Sequence, residues 1–170
     1  ESRIAVFDLD GTLYCETDPT YFDWLLFERR VLDDLKNSAP AELTAMARDS
    51  RDRRVLPPLE KGRERAVAKA YKGMTLDEFD AYAEDFLRNT PLDGLSNCTF
   101  GEAFYLPMVE VIRYLQANGF TFYVVTGADR QFSRAILRAI PTVNPANVIG
   151  SDSNPIAKRQ GFSGGLYFQF

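Results

Sequence analysis

The chain of 170 residues contains no histidine. That absence removes Ser-His-Asp and Cys-His catalysis, phosphohistidine chemistry and His-ligated zinc, and leaves carboxylates, hydroxyls, lysine and arginine as the reactive groups. Any hydrolytic mechanism here starts from a carboxylate or a metal ion. Cysteine is nearly as scarce. Cys15 and Cys98 have neither metal-ligand spacing nor the density of a disulfide scaffold, and they read as two idle thiols, with a single bridge as the other arrangement. No apolar run reaches the roughly 18 residues that a membrane-spanning helix needs. Positive charge is not in excess: 20 Lys and Arg stand against 24 Asp and Glu, a net charge of -4. No global field exists to hold a polyanion, so nucleic acid is excluded as a partner, whereas a small phosphorylated molecule can still bind through local groups. The chain opens on Glu1 rather than Met, so cytoplasmic placement is only the default and an exported form stays open. Nothing in the sequence sets an oligomeric state.

What is present suits a folded α/β protein. Hydrophobic residues make up 45% of the chain, enough for one domain or for a core carrying an inserted lobe. "RIAVFDLDGTLY" (residues 3–14) begins with the apolar run Ile4-Ala5-Val6-Phe7, which predicts a buried strand of a parallel sheet. Asp8 and Asp10 then stand at its carboxyl end, the edge at which open α/β sheets bind ligands. From Thr20 to about Asn89 the periodicity is helical. "TYFDWLLFERRVLDDLK" predicts one helix with Trp24 in its apolar stripe, and "TLDEFDAYAEDFLRN" opens with Thr75 and Glu78 at capping-box spacing. Val55-Leu56-Pro57-Pro58 breaks the charged helices between them. Their arginines (Arg48, Arg51, Arg53, Arg54, Arg63, Arg65) alternate with acids, which predicts a solvated, salt-bridged surface. The α/β pattern resumes with a helix that starts at Pro107 and stops just before Gly119, a strand in "FTFYVVTGADR" ending at Thr126-Gly127, a helix over 130–140 begun at Asp129, and a strand at 146–150. The glycine-rich tail "KRQGFSGGLYFQF" predicts a hairpin.

Two carboxylates at i and i+2 beyond a strand repel one another unless a cation or a shared proton stands between them. A bare Asp-Gly turn is the plainer alternative. The preceding strand, Gly11 and the Thr12 hydroxyl favour a catalytic pair. Mg²⁺ suits it, because it takes hard oxygen ligands and keeps waters that a phosphate oxygen can replace. One aspartate can then attack phosphorus while the other protonates the leaving oxygen.

"FDLDGTLY" resembles motif I of the haloacid dehalogenase superfamily, an apolar strand followed by D-x-D-x-T, and "FYVVTGAD" resembles motif II, an apolar strand ending in Ser or Thr. Thr126 lies 118 residues beyond Asp8, which accommodates a cap inserted after motif I. "FYLPMVEVIRYLQANGFTFYVVTGADRQFSRAIL" and "NPANVIGSD" are similar to stretches of the phosphoserine phosphatase-like branch. The resemblance implies a Rossmann-like α/β core from residues 1–14 and 101–170 and an all-helical cap from 15–100. It implies Asp8 as nucleophile, Asp10 as acid/base, and phosphate contacts from Thr126, Gly127 and the backbone amides around Leu9 to Gly11. Asp8 and the Asp10 carbonyl would ligate Mg²⁺. The implied reaction is hydrolysis of a small phosphate monoester through an aspartyl-phosphate. A phosphotransferase or mutase shares both aspartates. Dehalogenases generally lack the second, since a departing halide needs no proton, so Asp10 favours phosphate chemistry. A fragment without turnover, serving as a binding or structural module, is the alternative of a different class. The family pattern also has a motif III lysine and an acidic motif IV. Asp152 follows Thr126 by only 26 residues, too few for the elements between motifs II and IV. Val148-Ile149-Gly150 therefore predicts the third core strand, with the chain ending before motifs III and IV, and Lys158 a solvated loop residue.

Overall fold

The computed structural model describes residues 2–16, 21–52, 61–152, 155–159 and 161–168. The chain divides into two compact units, one formed by Glu1–Glu16 with Ala81–Asp152 and the other by Thr17–Asp80 with Ser153–Phe170. The predicted break at Val55 to Pro58, together with Arg53 and Arg54, lies outside the described residues.

The first unit is built on a three-stranded parallel sheet. Strand β1 (Arg3–Phe7) pairs with β2 (Phe120–Asp129), and β2 pairs with β3 (Val148–Ser151), giving the order β1-β2-β3. Helix α5 (Leu106–Ala117) leads into β2, and α6 (Arg130–Leu137) connects β2 to β3. Parallel strands need such crossovers, because a tight turn cannot return the chain to the same end of the sheet. Pro107 sits in the first turn of α5, where its missing N–H costs nothing. Both helices pack on the face that carries Phe122, Val124 and Val148, all buried.

The prediction that Ile4 to Phe7 form a parallel strand holds, but their uniform burial does not. Ile4 is 57% exposed and Val6 58%, and Val125 and Ile149, on the same face, are 42% and 51% exposed. Side chains alternate across a strand, and among the described residues α5 and α6 lie on the opposite face only. The second strand also outruns its predicted end at Gly127, because β2 regains pairing at Asp129 opposite Ser151 after an irregularity beyond Val125.

Among the described residues the second unit is helical apart from one hairpin. It contains α1 (Phe22–Arg29), a π-helical turn at Arg30–Asp34, α2 (Ala41–Arg51), α3 (Lys61–Ala70) and the start of α4 (Leu76–Asn89). The single long helix predicted for 20–36 is thus an α-helix continued by a π turn, closed by the Leu35 N–H on the Arg30 carbonyl at 2.9 Å. A π turn stacks residues five apart, and here it sets Glu28 and Asp33 toward one arginine. Arg51 of α2 lies 3.8 Å from Glu28 and 3.2 Å from Asp33, an ion pair of the expected kind. Trp24 is fully buried and meets Phe27 edge-on, as core. The capping box before α4 forms as predicted: the Thr75 amide donates to Glu78 at 2.7 Å and the Glu78 amide to the Thr75 hydroxyl at 3.1 Å.

The tail folds as the predicted hairpin, β4 (Ile156–Lys158) against β5 (Gly165–Tyr167), with Lys158 exposed at the end of β4 rather than in a loop. It belongs to the helical unit. Phe168 is buried against the rings of Tyr71 and Phe79, at 5.8 and 5.1 Å between centroids, and its amide donates to the Met74 carbonyl at 3.1 Å. Truncating this ring, Phe168→Ala, should cost about 3 kcal/mol, read from urea unfolding followed by circular dichroism.

Glu28 is buried, and that burial raises its carboxyl above the usual carboxylate range, against the opposing pull of the Ser50 hydrogen bond and Arg51. A carboxyl raised on folding contributes stability while protonated and loses it as pH rises through the folded value. Glu28→Gln should therefore stabilise the protein at about pH 7 and have little effect at about pH 4, measured as midpoint shifts in denaturant.

Candidate active site

The candidate site starts where β1 stops. Phe7 is opposite Val124 in the parallel register, so Asp8 leaves its strand beside the level at which Val125 and Thr126 continue β2. The two carboxyl ends thus bring Asp8 and Asp10 to the same sheet edge as Thr126 and Gly127.

Loop geometry around the aspartates is fixed by Leu9. Its side chain is fully buried, and its carbonyl accepts from the amides of Thr12, Leu13 and Tyr14 at 3.3, 2.9 and 3.0 Å. With Leu9 pulled into the core, Asp8 on one side is exposed and Asp10 on the other is half-buried. The Asp8 carboxylate accepts from the Leu9 amide at 2.8 Å, a charge-assisted bond that orients it. Gly11 has φ +69°, the left-handed region that an L side chain resists, and its amide donates to the Tyr14 carbonyl at 2.9 Å. Both amides assigned to phosphate, Leu9 and Gly11, are therefore engaged inside the loop. The Glu16 carboxylate lies against the open side of Gly11, 2.8 Å from where a Cβ would stand.

On β2, the Thr126 hydroxyl accepts from the Ala128 amide at 3.2 Å, and Gly127 is exposed with its carbonyl taking the Ser151 hydroxyl at 2.9 Å. Asp129 caps α6, accepting from the amides of Gln131 and Phe132 at 2.7 and 3.3 Å. This is the helix-terminus role expected of it. Asp152 is ion-paired with Arg130. Cys15 and Cys98 are free thiols.

Among the described residues no group of three or more His, Cys, Asp or Glu is arranged to hold a metal ion. Asp8 and Asp10 offer hard oxygen donors of the type Mg²⁺ prefers, and a cation that keeps several waters is compatible with so small a donor set.

Sequence reasoning missed Tyr14. It is buried, its hydroxyl donates to the Phe100 carbonyl at 2.8 Å, and its ring meets Phe104 edge-on. Burial, with Asp10 adding to it, pushes the Tyr14 hydroxyl well above the usual tyrosine range, so it stays a neutral donor. The available signal was "TFGE", Thr99 to Glu102, a capping-box spacing that builds the turn holding Phe100.

A family model for haloacid dehalogenase-like hydrolases matches residues 5–167. The chain belongs to the haloacid dehalogenase-like hydrolases. No curated protein matched it. A protein of unknown function from Bordetella pertussis Tohama I has a similar fold, with 23% identity over 97% of this chain and 66% of its own, at a TM-score of 0.57. A conserved, functionally unknown protein from Anaerococcus prevotii DSM 20548 follows at 14% identity, 99% and 65% coverage and a TM-score of 0.51. Cytosolic 5'-nucleotidase IIIB bound to cytidine is similar at 16% identity, 99% and 53% coverage and a TM-score of 0.50. At these identities the likeness is one of fold, and the chain spans about two thirds or less of each structure's length.

Where β3 passes α6, a Cβ on Gly150 would stand 2.6 Å from the Ala128 carbonyl and 3.1 Å from the Arg130 backbone. Gly150→Ala should force β3 away from the end of β2 and lower stability by about 2 kcal/mol, checked by thermal unfolding and by faster amide exchange at Asp129.

Proposed function

We propose that this haloacid dehalogenase-like hydrolase is a Mg²⁺-dependent phosphatase that cleaves a small phosphate monoester through an aspartyl-phosphate. The observation that carries this is the loop after β1. It holds two aspartates, one exposed and one half-buried, at the sheet edge it shares with Thr126 and Gly127. A carboxylate oriented by its neighbour's amide is placed to act as a nucleophile, and a second, less exposed one to carry a proton.

In the first half-reaction an oxygen of Asp8 attacks phosphorus, the bond to the ester oxygen breaks, and Asp10 gives that oxygen its proton. In the second, water loses a proton to Asp10 and attacks phosphorus, the bond to Asp8 breaks, and inorganic phosphate leaves with both aspartates restored. Thr126 and Gly127 bind phosphoryl oxygens from the β2 side. Asp8 and the Asp10 backbone carbonyl would hold Mg²⁺, which when bound supplies the positive charge that lets two carboxylates and an anionic ester share one loop. The helical block from 15 to 100 is assigned as the cap that selects substrate. A phosphotransferase or mutase uses the same two aspartates, while dehalogenation leaves the proton on Asp10 without a purpose.

With Mg²⁺ present the protein should release phosphate from members of a panel that includes an aryl phosphate and a nucleoside monophosphate, and chelation should stop it. Asp8→Asn should lower this turnover by about a thousandfold or more while leaving the circular dichroism spectrum intact. Turnover unchanged in that variant removes Asp8 from the nucleophile role.

A further inference from the structure

We propose that Tyr14 is a positioning residue for Asp10, tying the catalytic loop to the turn at residues 99–104. The inference rests on the acid/base role proposed for Asp10 and extends it to a residue that touches neither substrate nor metal.

Tyr14 is held at both ends. At its backbone, it forms an isolated bridge with Asp10 and another with Phe104. Its carbonyl accepts from Gly11 at 2.9 Å, its amide donates to Leu9 at 3.0 Å, and its neighbours add Cys15 N–H to Ala103 carbonyl at 2.7 Å and Tyr105 N–H to Leu13 carbonyl at 3.0 Å. At its side chain, the hydroxyl ends on the Phe100 carbonyl. That acceptor is itself fixed. The Thr99 amide and hydroxyl donate to Glu102 at 2.9 and 3.0 Å, the Phe100 amide donates to Thr90 at 3.1 Å, and the Phe100 ring packs on Phe86 of α4 at 5.4 Å. A line of bonds therefore runs from the capped turn through the tyrosine hydroxyl to the backbone beside Asp10.

A buried tyrosine needs some hydroxyl partner. This one has consequences for chemistry, because Tyr14 is itself the residue bridged to Asp10 through the backbone. Proton transfer in a transition state depends on alignment, and a small displacement of the acid costs rate without costing binding. The cost falls unevenly across substrates. A poor leaving group needs the Asp10 proton, whereas a para-nitrophenolate departs without it.

Tyr14→Phe removes only the hydroxyl and keeps the ring. In the full chain with Mg²⁺, kcat for phenyl phosphate should fall about tenfold with KM unchanged, while kcat for para-nitrophenyl phosphate should change less than about twofold. Tyr114→Phe, on the face of α5 where Tyr114 is 69% exposed, should change neither ester. Equal losses on both esters, or none, overturn the positioning role. A readout independent of turnover is amide exchange, which Tyr14→Phe should speed at Gly11 and Tyr14 but not at Val124. Unchanged protection at Gly11 overturns the proposal by itself. If the unsubstituted protein hydrolyses neither ester, the exchange measurement alone decides whether Tyr14 holds the loop, and inactivity across the whole phosphate panel is what removes the phosphatase assignment.

Discussion

The Leu9 carbonyl gathers three amides while the Leu9 side chain fills the core, and the placement of Asp8 and Asp10 depends on that pairing of burial and hydrogen bonding. A backbone oxygen that accepts three bonds winds the chain tightly around itself, and an anchored leucine prevents the winding from sliding. The residues on either side of Leu9 are aspartates, so their carboxylates inherit fixed positions at the end of β1. Gly11 follows as the residue able to take the left-handed turn that this winding requires. The positions of the two aspartates are thus set by an apolar side chain between them.

Much of this was legible from residue order. Short apolar runs and the turn residues beyond them identify the parallel strands, because "IAVF" leads into Asp8-Leu9-Asp10-Gly11 and "YVV" into Thr126-Gly127. Thr75 with Glu78 announces a helix start through spacing alone, since both partners lie within one turn. What stayed hidden depends on contacts distant in sequence. Ile4 and Val6 look like core residues by type, and among the described residues α5 and α6 cover only the opposite face. Tyr14 sits inside the most recognisable stretch of the chain, yet its hydroxyl partner is 86 residues away, a distance no local pattern spans. The irregular pairing between Val125 and Asp129 was equally hidden, since it is set by a partner strand that begins at Val148.

The helical unit follows a different logic. Its core is aromatic, Trp24 and Phe27 in α1 and Tyr71, Phe79 and Phe168 where α3, α4 and the hairpin meet. Edge-on rings contribute directional packing beyond their area. Phe168 adds tilted ring contacts with Tyr71 and Phe79, and its burial there ties the glycine-rich hairpin to the helical unit.

The π turn at Arg30–Asp34 gives that unit a property of its own. A π turn is an α-helix that has absorbed one residue too many. Shortening the segment between Glu28 and Asp33 by one residue would set the two acids four apart, restore a continuous α-helix, and still present both to Arg51. The same deletion within α2 would swing Arg51 by about 100° around its helix axis and break both ion pairs. Chain length is therefore negotiable at the π turn and nowhere else along that pair of helices, so natural variants differing by one residue should differ there.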